Sequence, residues 1–202
     1  IGDGTNISEL DNTIDIPKDM ITNSDLTSLI KTTYHDIDIK NTSTDQYLKN
    51  RIILSSRNVD VVNINLAILD IFPEKEKTYL SSDNIITEES DSNTNFYPNE
   101  FLNFLKPNGL PPSKLKLKIG YPIILLRNLA PHQSLCNGSQ LIITRLNDHL
   151  IEAHILTGDY AGNSTFIPCI SLISSASELP FKLKQRQFPI QLAFAITINK
   201  SQ

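Results

Sequence analysis

The stretch that decides the fold is Gly109-Leu-Pro-Pro-Ser-Lys-Leu-Lys-Leu-Lys-Ile-Gly-Tyr-Pro-Ile-Ile-Leu-Leu-Arg-Asn128. From Ser113 onward, apolar residues fall at every second position and lysines occupy the positions between them. Because successive side chains of a strand point to opposite faces, this alternation predicts a strand with an apolar face and a row of ammonium groups, those of Lys114, Lys116 and Lys118. Gly120 and Pro122 interrupt the pattern, and the apolar run after them predicts a second strand.

Further short strands are predicted on the C-terminal side of this stretch. Asn137-Gly138 is typical of a tight turn, and β-prone segments follow it at residues 140–146, 150–156 and 165–170. Five short strands within about 60 residues, with turns at regular spacing, are typical of a small barrel. Because this region is predicted to be all-β while its flanks are α/β, we expect this barrel to be an insertion in an α/β domain.

The flanking regions carry the pattern of an open α/β domain. Residues 51–55 predict a buried strand, and the helix after it is expected to begin with Asn58 as its N-cap and to bury Val59, Val62, Leu66 and Leu69. A second buried strand, residues 192–198, precedes the polar turn Asn199-Lys-Ser-Gln202. Ligands of such domains bind at the carboxyl ends of the strands, where Arg57, Asn58 and Lys200 are expected to lie. A polar loop and a helix cap without a ligand are the alternative.

The net charge of −4 hides an asymmetry between the two halves of the chain. Residues 1–110 carry 9 basic and 18 acidic side chains, whereas residues 111–202 carry 9 basic and 4 acidic ones. The positive second half, which includes Lys182, Lys184 and Arg186, predicts an anionic partner there. A solvated basic face is the alternative. The acidic residues 1–50 predict one helix, capped by Ser24.

Several classes of site are excluded by what the sequence lacks. Its 7 glycines form no Gly-x4-Gly-Lys-Ser/Thr loop, and its 4 histidines and 2 cysteines show no spacing typical of metal ligands. We therefore predict no catalytic, cofactor or metal site within these residues. No apolar run is long enough for a membrane helix, so no membrane partner is predicted either, and two cysteines favour an intracellular setting.

The motifs of this chain closely resemble those of the Pif family of DNA helicases, and most of all the helicase portion of Helitron transposon proteins. The resemblance includes Phe101-Leu-Asn-Phe-Leu105, the stretch 109–128, Leu135-Cys-Asn-Gly138 and Leu179-Pro-Phe-Lys-Leu-Lys-Gln-Arg-Gln-Phe-Pro189. Ile52-Ile-Leu-Ser-Ser-Arg-Asn58 resembles the beginning of the family's second RecA-like domain. Leu192-Ala-Phe-Ala-Ile-Thr-Ile-Asn-Lys-Ser-Gln202 resembles the start of its motif V.

The resemblance implies an α/β fold: a partial second RecA-like (P-loop NTPase-like) domain with an inserted small SH3-like β-barrel, called subdomain 2B. Residues 1–50 would form an acidic lead-in from the first motor domain. Residues 51–98 and 181–202 would form the incomplete second RecA-like domain, and residues 99–180 the inserted barrel. The chain is expected to be a piece of a longer protein, with the missing first motor domain as its partner.

The family members are ATP-driven motors that move 5′-to-3′ on single-stranded DNA, which implies DNA contacts here. Thr197 would contact the DNA backbone, with Asn199, Lys200 and Gln202 in the same element. Six cations would meet phosphates: Lys114, Lys116, Lys118, Lys182, Lys184 and Arg186. Arg57 and Asn58 would lie near the interdomain cleft. Asn128, Asn137 and Gly138 match the barrel's signature and would shape turns.

The Walker A and B motifs and the arginine-bearing motif VI of the family are absent, so ATP and Mg²⁺ would bind outside these residues. By itself the chain is expected neither to hydrolyse ATP nor to unwind a duplex. The resemblance implies roles in DNA repair, recombination, telomere maintenance or transposition, and a nuclear location, with the mitochondrion as alternative. Two other functions stay open: a stand-alone module that binds single-stranded nucleic acid, and an inactive transposon remnant.

Overall fold

The computed structural model describes residues 18, 21, 25–35, 45–86, 97–175 and 179–200. Over these residues the chain is mixed α/β, with four α-helices and twelve β-strands. It divides into two compact units, residues 1–36 and residues 37–202. The mixed α/β class predicted from the sequence is therefore confirmed.

The first unit contributes one described helix, α1 (Leu26–Thr33). Its N-cap is Asp25, whose carboxylate accepts the backbone N–H of Ser28 at 3.1 Å, and this hydrogen bond lowers the pKa of Asp25. Ile30 and Tyr34 are buried. The predicted cap, Ser24, lies outside the described residues.

The second unit begins with a short helix, α2 (Asp45–Lys49), and continues with a strand–helix unit. Strand β1 (Ile53–Ser55) leads into α3 (Asn58–Ile71), and the last strand, β12 (Ala195–Thr197), pairs with β1 in parallel. Arg57 takes the N-cap position of α3 and makes no side-chain cap bond, so the predicted cap at Asn58 is wrong. Asn58 is instead the first helical residue.

The buried face of α3 differs from the predicted one. The helix buries Val61, Ile64, Asn65, Ile68 and Leu69. Of the four residues predicted to be buried, only Leu69 is, and Val59, Val62 and Leu66 remain 69%, 48% and 42% exposed. The reason is that α3 carries two apolar stripes with the same i, i+3, i+7 spacing, and periodicity does not say which of them meets the sheet.

Antiparallel strands make up the rest of the second unit. Strand β2 (Lys77–Leu80) pairs with β4 (Lys114–Leu117). A three-stranded sheet has the order β3 (Ser82–Ile86), β10 (Lys182–Gln187) and β9 (Ile170–Ile173). Helix α4 (Asn99–Phe104) lies between β3 and β4 in sequence and packs against β3.

The largest sheet has five strands in the order β11-β5-β6-β7-β8. Its strands are β5 (Pro122–Leu125), β6 (Gln140–Leu146), β7 (Leu150–Ile155), β8 (Ser164–Pro168) and β11 (Ile190–Leu192). The last four of the five strands predicted for the barrel thus form one meander, but the first predicted strand pairs with β2 instead. Among the described residues the hydrogen-bonded ladder of this sheet stays open, and no closed barrel forms.

One buried side chain joins α3 to the end strand β12. The Asn65 carboxamide donates to Ala195 O at 2.8 Å and accepts the N–H groups of Phe194 and Ala195 at 3.0 and 3.1 Å. The backbone carbonyl of Asn65 in turn accepts the Tyr121 hydroxyl at 2.6 Å. The rings of Phe72, Tyr121 and Phe194 pack around this point, with Tyr121 and Phe194 centroids 4.5 Å apart. This cluster ties the strand–helix unit to the five-stranded sheet.

Candidate nucleic-acid interface

The exposed face of β10 carries three cations in a row. Along this strand Leu183, Gln185 and Gln187 are buried, and the residues between them, Lys182, Lys184 and Arg186, are exposed. Residues two apart on a strand repeat every 6.6–6.8 Å or so, which is comparable to the spacing of phosphates along an extended single strand of nucleic acid. The cations predicted from the basic segment after Pro180 are therefore brought together on one surface.

The neighbours of Lys184 and Arg186 on the same face are neutral. Arg186 lies between Ser82 of β3 and Ser171 of β9, and Lys184 lies between Asn84 and Ile173. No carboxylate is present on this face among the described residues of the three strands, and no described side chain pairs with Lys184 or Arg186. We call the surface formed by Lys182, Lys184, Arg186 and these neighbours the basic face.

The inner side of the same sheet carries polar side chains, and only some of their hydrogen-bonding groups have partners. The Gln187 carboxamide donates to Ser113 O at 3.3 Å and accepts the N–H of Phe188 at 3.0 Å, and the Ser174 hydroxyl accepts the N–H of Leu183 at 2.9 Å. Asp83 lies directly across from Gln185, and both are buried. Within the described part of the chain, neither carboxylate oxygen of Asp83 nor Oε1 of Gln185 has a hydrogen-bond partner.

The three lysines of the β4 segment do not share one face, contrary to the predicted row. Lys114 is exposed, and Lys116 forms an ion pair with Glu76 at 3.1 Å. Strand β4 ends at Leu117, and Lys118 turns inward, where its ammonium donates to Leu69 O at 2.6 Å and Phe72 O at 2.7 Å. It caps the carbonyl end of α3, which is where a helix favours a cation.

The carboxyl ends of β1 and β12 lie side by side. Ser55 pairs with Thr197 across the parallel ladder, so the turn that follows β1 and the residues that follow β12 meet at one edge. Arg57, whose side chain is 76% exposed, binds Asp60 through two hydrogen bonds of 2.8 and 3.0 Å. Thr197 is half-buried, and Asn199 is exposed in the middle of a short 3-10 turn (Ile198–Lys200). The Lys200 side chain and all of Gln202 lie outside the described residues.

The three residues predicted as a barrel signature lie together at the β5–β6 connection. The Asn128 carboxamide oxygen accepts the N–H of Asn137 at 2.8 Å. Gly138 follows with a φ of +94°, a conformation that side-chain-bearing residues rarely adopt, and its N–H donates to Leu125 O at 2.9 Å. These contacts fix the loop between two strands of the largest sheet.

Other kinds of site have little support within the described residues. No group of three or more His, Cys, Asp or Glu side chains there could hold a metal ion. Cys136 and Cys169 are free thiols. No helix in the described part of the chain has the length and apolar character needed to cross a membrane.

Part of the interface had no signal in the sequence. The serine, asparagine and isoleucine neighbours of the basic face come from β3 and β9, which precede β10 by about 100 and by 12 or so residues. Strand β3 was not predicted, because its polar residues match no apolar alternation.

The sequence and the fold were compared with known proteins. Residues 100–146 match the family model of the DNA helicase Pif1, 2B domain. The crystal structure of Pif1 helicase from Candida albicans has a TM-score of 0.52 and 18% identity, and the match covers 75% of this chain and 37% of that one. Pif1 helicase from Bacteroides, crystallised with ADP-AlF3 and ssDNA, has a TM-score of 0.51 and 21% identity, with 90% and 37% covered.

A third structure, of two coordinating Pif1 helicases that unwind forked double-stranded DNA, has a TM-score of 0.52 and 21% identity, with 90% and 38% covered. The chain thus spans less than two fifths of the length of the Pif1 helicases it matches. A search of the curated proteins found no match. The family model and the shared fold together support the resemblance to Pif-family helicases that the sequence motifs indicate.

Proposed function

We propose that this chain, part of a Pif1-family helicase by its 2B-domain match and its fold, supplies the single-stranded-DNA-binding half of the motor. The observation that carries the proposal is the basic face: three exposed cations at strand spacing, of which Lys184 and Arg186 have only neutral neighbours across the ladders. Such an arrangement attracts a linear polyanion, because each cation that meets a phosphate releases condensed counterions.

The basic face is suited to a backbone rather than to base edges. Lysine and arginine side chains on a rigid central strand keep their spacing, and the flanking serine and asparagine groups add hydrogen bonds to phosphate or sugar oxygens. Contacts of this kind position a strand without reading its sequence, as a translocating motor requires. Lys114 extends the proposed contacts onto β4, whereas Lys116 is paired with Glu76 and Lys118 is buried against α3, so both are left out.

A second DNA contact is proposed at the joint edge of β1 and β12. There Thr197, Asn199, Lys200 and Gln202 follow the motif V resemblance, and the parallel ladder places Thr197 next to Ser55. Polar groups at the carboxyl ends of parallel strands are the usual ligand-binding groups of open α/β domains. Arg57 and Asn58 lie at the same edge and would face the interdomain cleft.

The domain assignment of the sequence is retained as part of the proposal. Residues 51–98 and 181–202 would form an incomplete second RecA-like domain, and residues 99–180 the inserted SH3-like 2B domain, with residues 1–50 as lead-in. The parallel β1–α3–β12 unit supports the first assignment, and the β5–β8 meander supports the second. The exposed apolar stripe of α3 supports a missing partner, since Val59, Val62 and Leu66 would be covered by another domain.

In this proposal the chain moves 5′-to-3′ on DNA only together with a first motor domain, which would hold ATP and Mg²⁺. The seven glycines of the chain form no phosphate-cradling loop, so the chain alone should not hydrolyse ATP. The roles would be those of a DNA-processing enzyme in repair, recombination, telomere maintenance or Helitron-type transposition, in the nucleus or the mitochondrion. A stand-alone binding module is the second candidate, favoured by the basic face itself, which needs no ATP.

The test is the salt dependence of binding to a fluorescein-labelled thymidine 20-mer, measured by fluorescence anisotropy. Replacing Lys182, Lys184 and Arg186 together by alanine should make the log–log slope shallower by about 2, since each phosphate contact contributes about 0.7. The matched control replaces three exposed lysines elsewhere, Lys31, Lys49 and Lys75, and should leave the slope unchanged.

Two outcomes would contradict the proposal. An equal loss in both triple variants would mean that only net charge matters, and no binding by the natural chain at low salt would remove DNA as a partner. ATP hydrolysis by the purified chain would overturn the division of labour between two motor domains. Binding that is not changed by ATP or by a first motor domain would favour the stand-alone module.

A further inference from the structure

A cavity of about 340 Å³ opens between α4 and the neighbouring ends of three strands. It is lined by Leu80, Ser81, Asn103, Phe104, Ser113 and Lys114. Its volume falls at the lower end of the range of small-molecule sites, which is about 300–1,000 Å³. No prediction from the sequence involved this place, apart from the charge of Lys114.

Two large apolar side chains form the walls of the cavity and stay exposed. Phe104, the last residue of α4, is 82% exposed, and Leu80, the last residue of β2, is 75% exposed. Leu102, on the opposite side of α4, is buried, so the helix is fixed by one face and presents Phe104 on the other. An exposed aromatic ring beside a cavity is suited to stacking on a flat, apolar ligand.

Hydrogen bonds hold the walls in place. The Ser113 hydroxyl donates to Asn103 O at 2.6 Å, which fixes the end of α4 against the beginning of β4. The N–H of Ser81 donates to Ser113 O at 2.8 Å, which fixes the junction of β2 and β3. The cavity is therefore built on three anchored elements, and the Asn103 carboxamide is available at its rim for an edge-on hydrogen bond.

The charge at the rim is positive. Lys114 lies directly across from Leu80 in the β2–β4 ladder, and it has no ion-pair partner among the described residues. The nearest pair on this ladder, Lys116 with Glu76, is already neutral. A ligand that combines a flat ring with a negative group would thus find both of its requirements within this cavity.

The cavity lies next to the Arg186 end of the basic face. Ser81 lines the cavity, and the next residue, Ser82, faces Arg186 across the β3–β10 ladder. Gln187, next to Arg186, donates to Tyr79 O and Ser113 O at 3.4 and 3.3 Å, which holds the end of β10 against β2 and β4. A strand bound along Lys182, Lys184 and Arg186 would therefore end beside the residues that line the cavity.

We propose that this cavity receives one nucleobase of the bound single strand, stacked on Phe104, with a flanking phosphate at Lys114. The proposal rests on the proposed function and adds a base-binding position at one end of the basic face. Stacking accepts any base, because every base has a flat apolar surface, and it would hold the strand without selecting a sequence.

The experiment compares two single-stranded 12-mers of equal charge, one with bases and one in which every base is replaced by an abasic site. For the oligonucleotide with bases, Phe104→Ala should weaken binding about 5- to 50-fold, and Phe104→Tyr should bind as the natural chain does. For the abasic oligonucleotide, Phe104→Ala should have no effect. Because Phe104 is exposed, the melting temperature should not change, and Leu80→Ser provides a second variant of the same cavity.

The outcomes separate the two proposals. If the natural chain binds both oligonucleotides equally and with the same steep salt dependence, the basic face stands and the base-binding cavity is wrong. The cavity is also wrong if Phe104→Ala weakens both oligonucleotides alike. If the natural chain binds neither at low salt, both proposals fail. Quenching of a single 2-aminopurine that Phe104→Ala abolishes would support the stacked base directly.

Discussion

Strands β4 and β10 carry the same alternation of cations with residues that face inward, and they use their cations differently. On β10 all three cations stay on one exposed face, whereas the three lysines of the β4 segment have three separate fates: exposed, paired and buried. Alternation predicts faces only as far as the strand extends, and β4 ends one residue before Lys118. Alternation also does not predict which side chains a neighbouring segment places beside the strand, such as Glu76 beside Lys116. The position of a strand in its sheet thus decides whether its alternating cations form one exposed surface.

The largest expected effect is on the buried member of the β4 row. Lys118→Met keeps the volume but removes both hydrogen bonds to Leu69 O and Phe72 O, so the free energy of unfolding in urea should fall by about 2–4 kcal/mol. Lys114→Met, the matched change on the exposed lysine, should stay within about 0.5 kcal/mol. If both changes lowered the free energy of unfolding equally, the buried Lys118 would contribute no more to stability than the exposed Lys114.

A smaller effect of opposite sign is expected beneath the basic face. Asp83→Asn replaces a buried carboxylate without a partner by a group that can donate to Oε1 of Gln185, which lies directly across the ladder. The free energy of unfolding should rise by about 1 kcal/mol. Asp159→Asn, at an exposed position, is the control and should change little. A destabilised Asp83→Asn variant would show that the carboxylate has a partner in solution.

Some elements of the fold could be predicted from the sequence, and others could not. Alternation located β4, and the turn signal at Asn137-Gly138 located a connection whose geometry the structure confirms, whereas β10 was predicted only as a basic segment. The two apolar stripes of α3 could not be ranked, because the choice depends on which side meets Tyr121 and Phe194. Pairings such as β3 with β10 join residues about 100 positions apart, and no local pattern encodes them.

The charged residues of the candidate site could be predicted from the sequence, but its shape could not. Lys182, Lys184 and Arg186 were found from the basic composition of their segment. The cavity beside Phe104 was not, because it requires three elements to meet, and its residues taken singly are an ordinary helix end and two strand ends. Three other aromatic residues, Tyr121, Phe188 and Phe194, are buried in the core and are not accessible to bases.

The third prediction concerns a variant that makes the lysines of β4 more like the unpaired cations of β10. Glu76→Gln removes the ion-pair partner of Lys116, which should then meet a phosphate. We expect single-stranded DNA to bind a few-fold more tightly, with the log–log salt slope steeper by about 0.7. Glu152→Gln is the control, since it frees Arg145 on β6, away from the basic face, with the same change in net charge. A gain in both variants would trace the effect to net charge alone.

The smallest effect concerns the far end of the β2–β4 ladder, where Lys77 binds Asp148 at 2.7 Å. The hydrogen bond from Lys77 lowers the pKa of Asp148 below its ordinary value of 3.8, and the reciprocal bond raises the pKa of Lys77 above 10.5. The stabilisation from Asp148 is therefore present above its unfolded pKa and lost as the pH falls through its folded pKa. That from Lys77 is present below about pH 10.5 and lost as the pH rises further.

Melting temperatures of the natural chain and of Asp148→Asn, measured from pH 3 to pH 7, check this directly. The difference between them should be small and constant down to about pH 4 and should vanish below it, with the natural chain the more stable at neutral pH. A difference that grows on acidification would contradict the assigned pair.

The connection from β11 to β12 is very short. Only Ala193 and Phe194 separate Leu192, which is hydrogen-bonded into the five-stranded sheet, from Ala195, which is hydrogen-bonded to β1. Both linking residues are buried, and Asn65 grips the second of them through its N–H. Because the connection is so short, a displacement of Thr197 would be transmitted to Leu192. The linking residues are themselves bonded to both sheets, since the N–H of Ala193 donates to Pro122 O and Phe194 O accepts the N–H of Ile53. Inserting a few glycines here would therefore weaken the mechanical coupling between the two sheets.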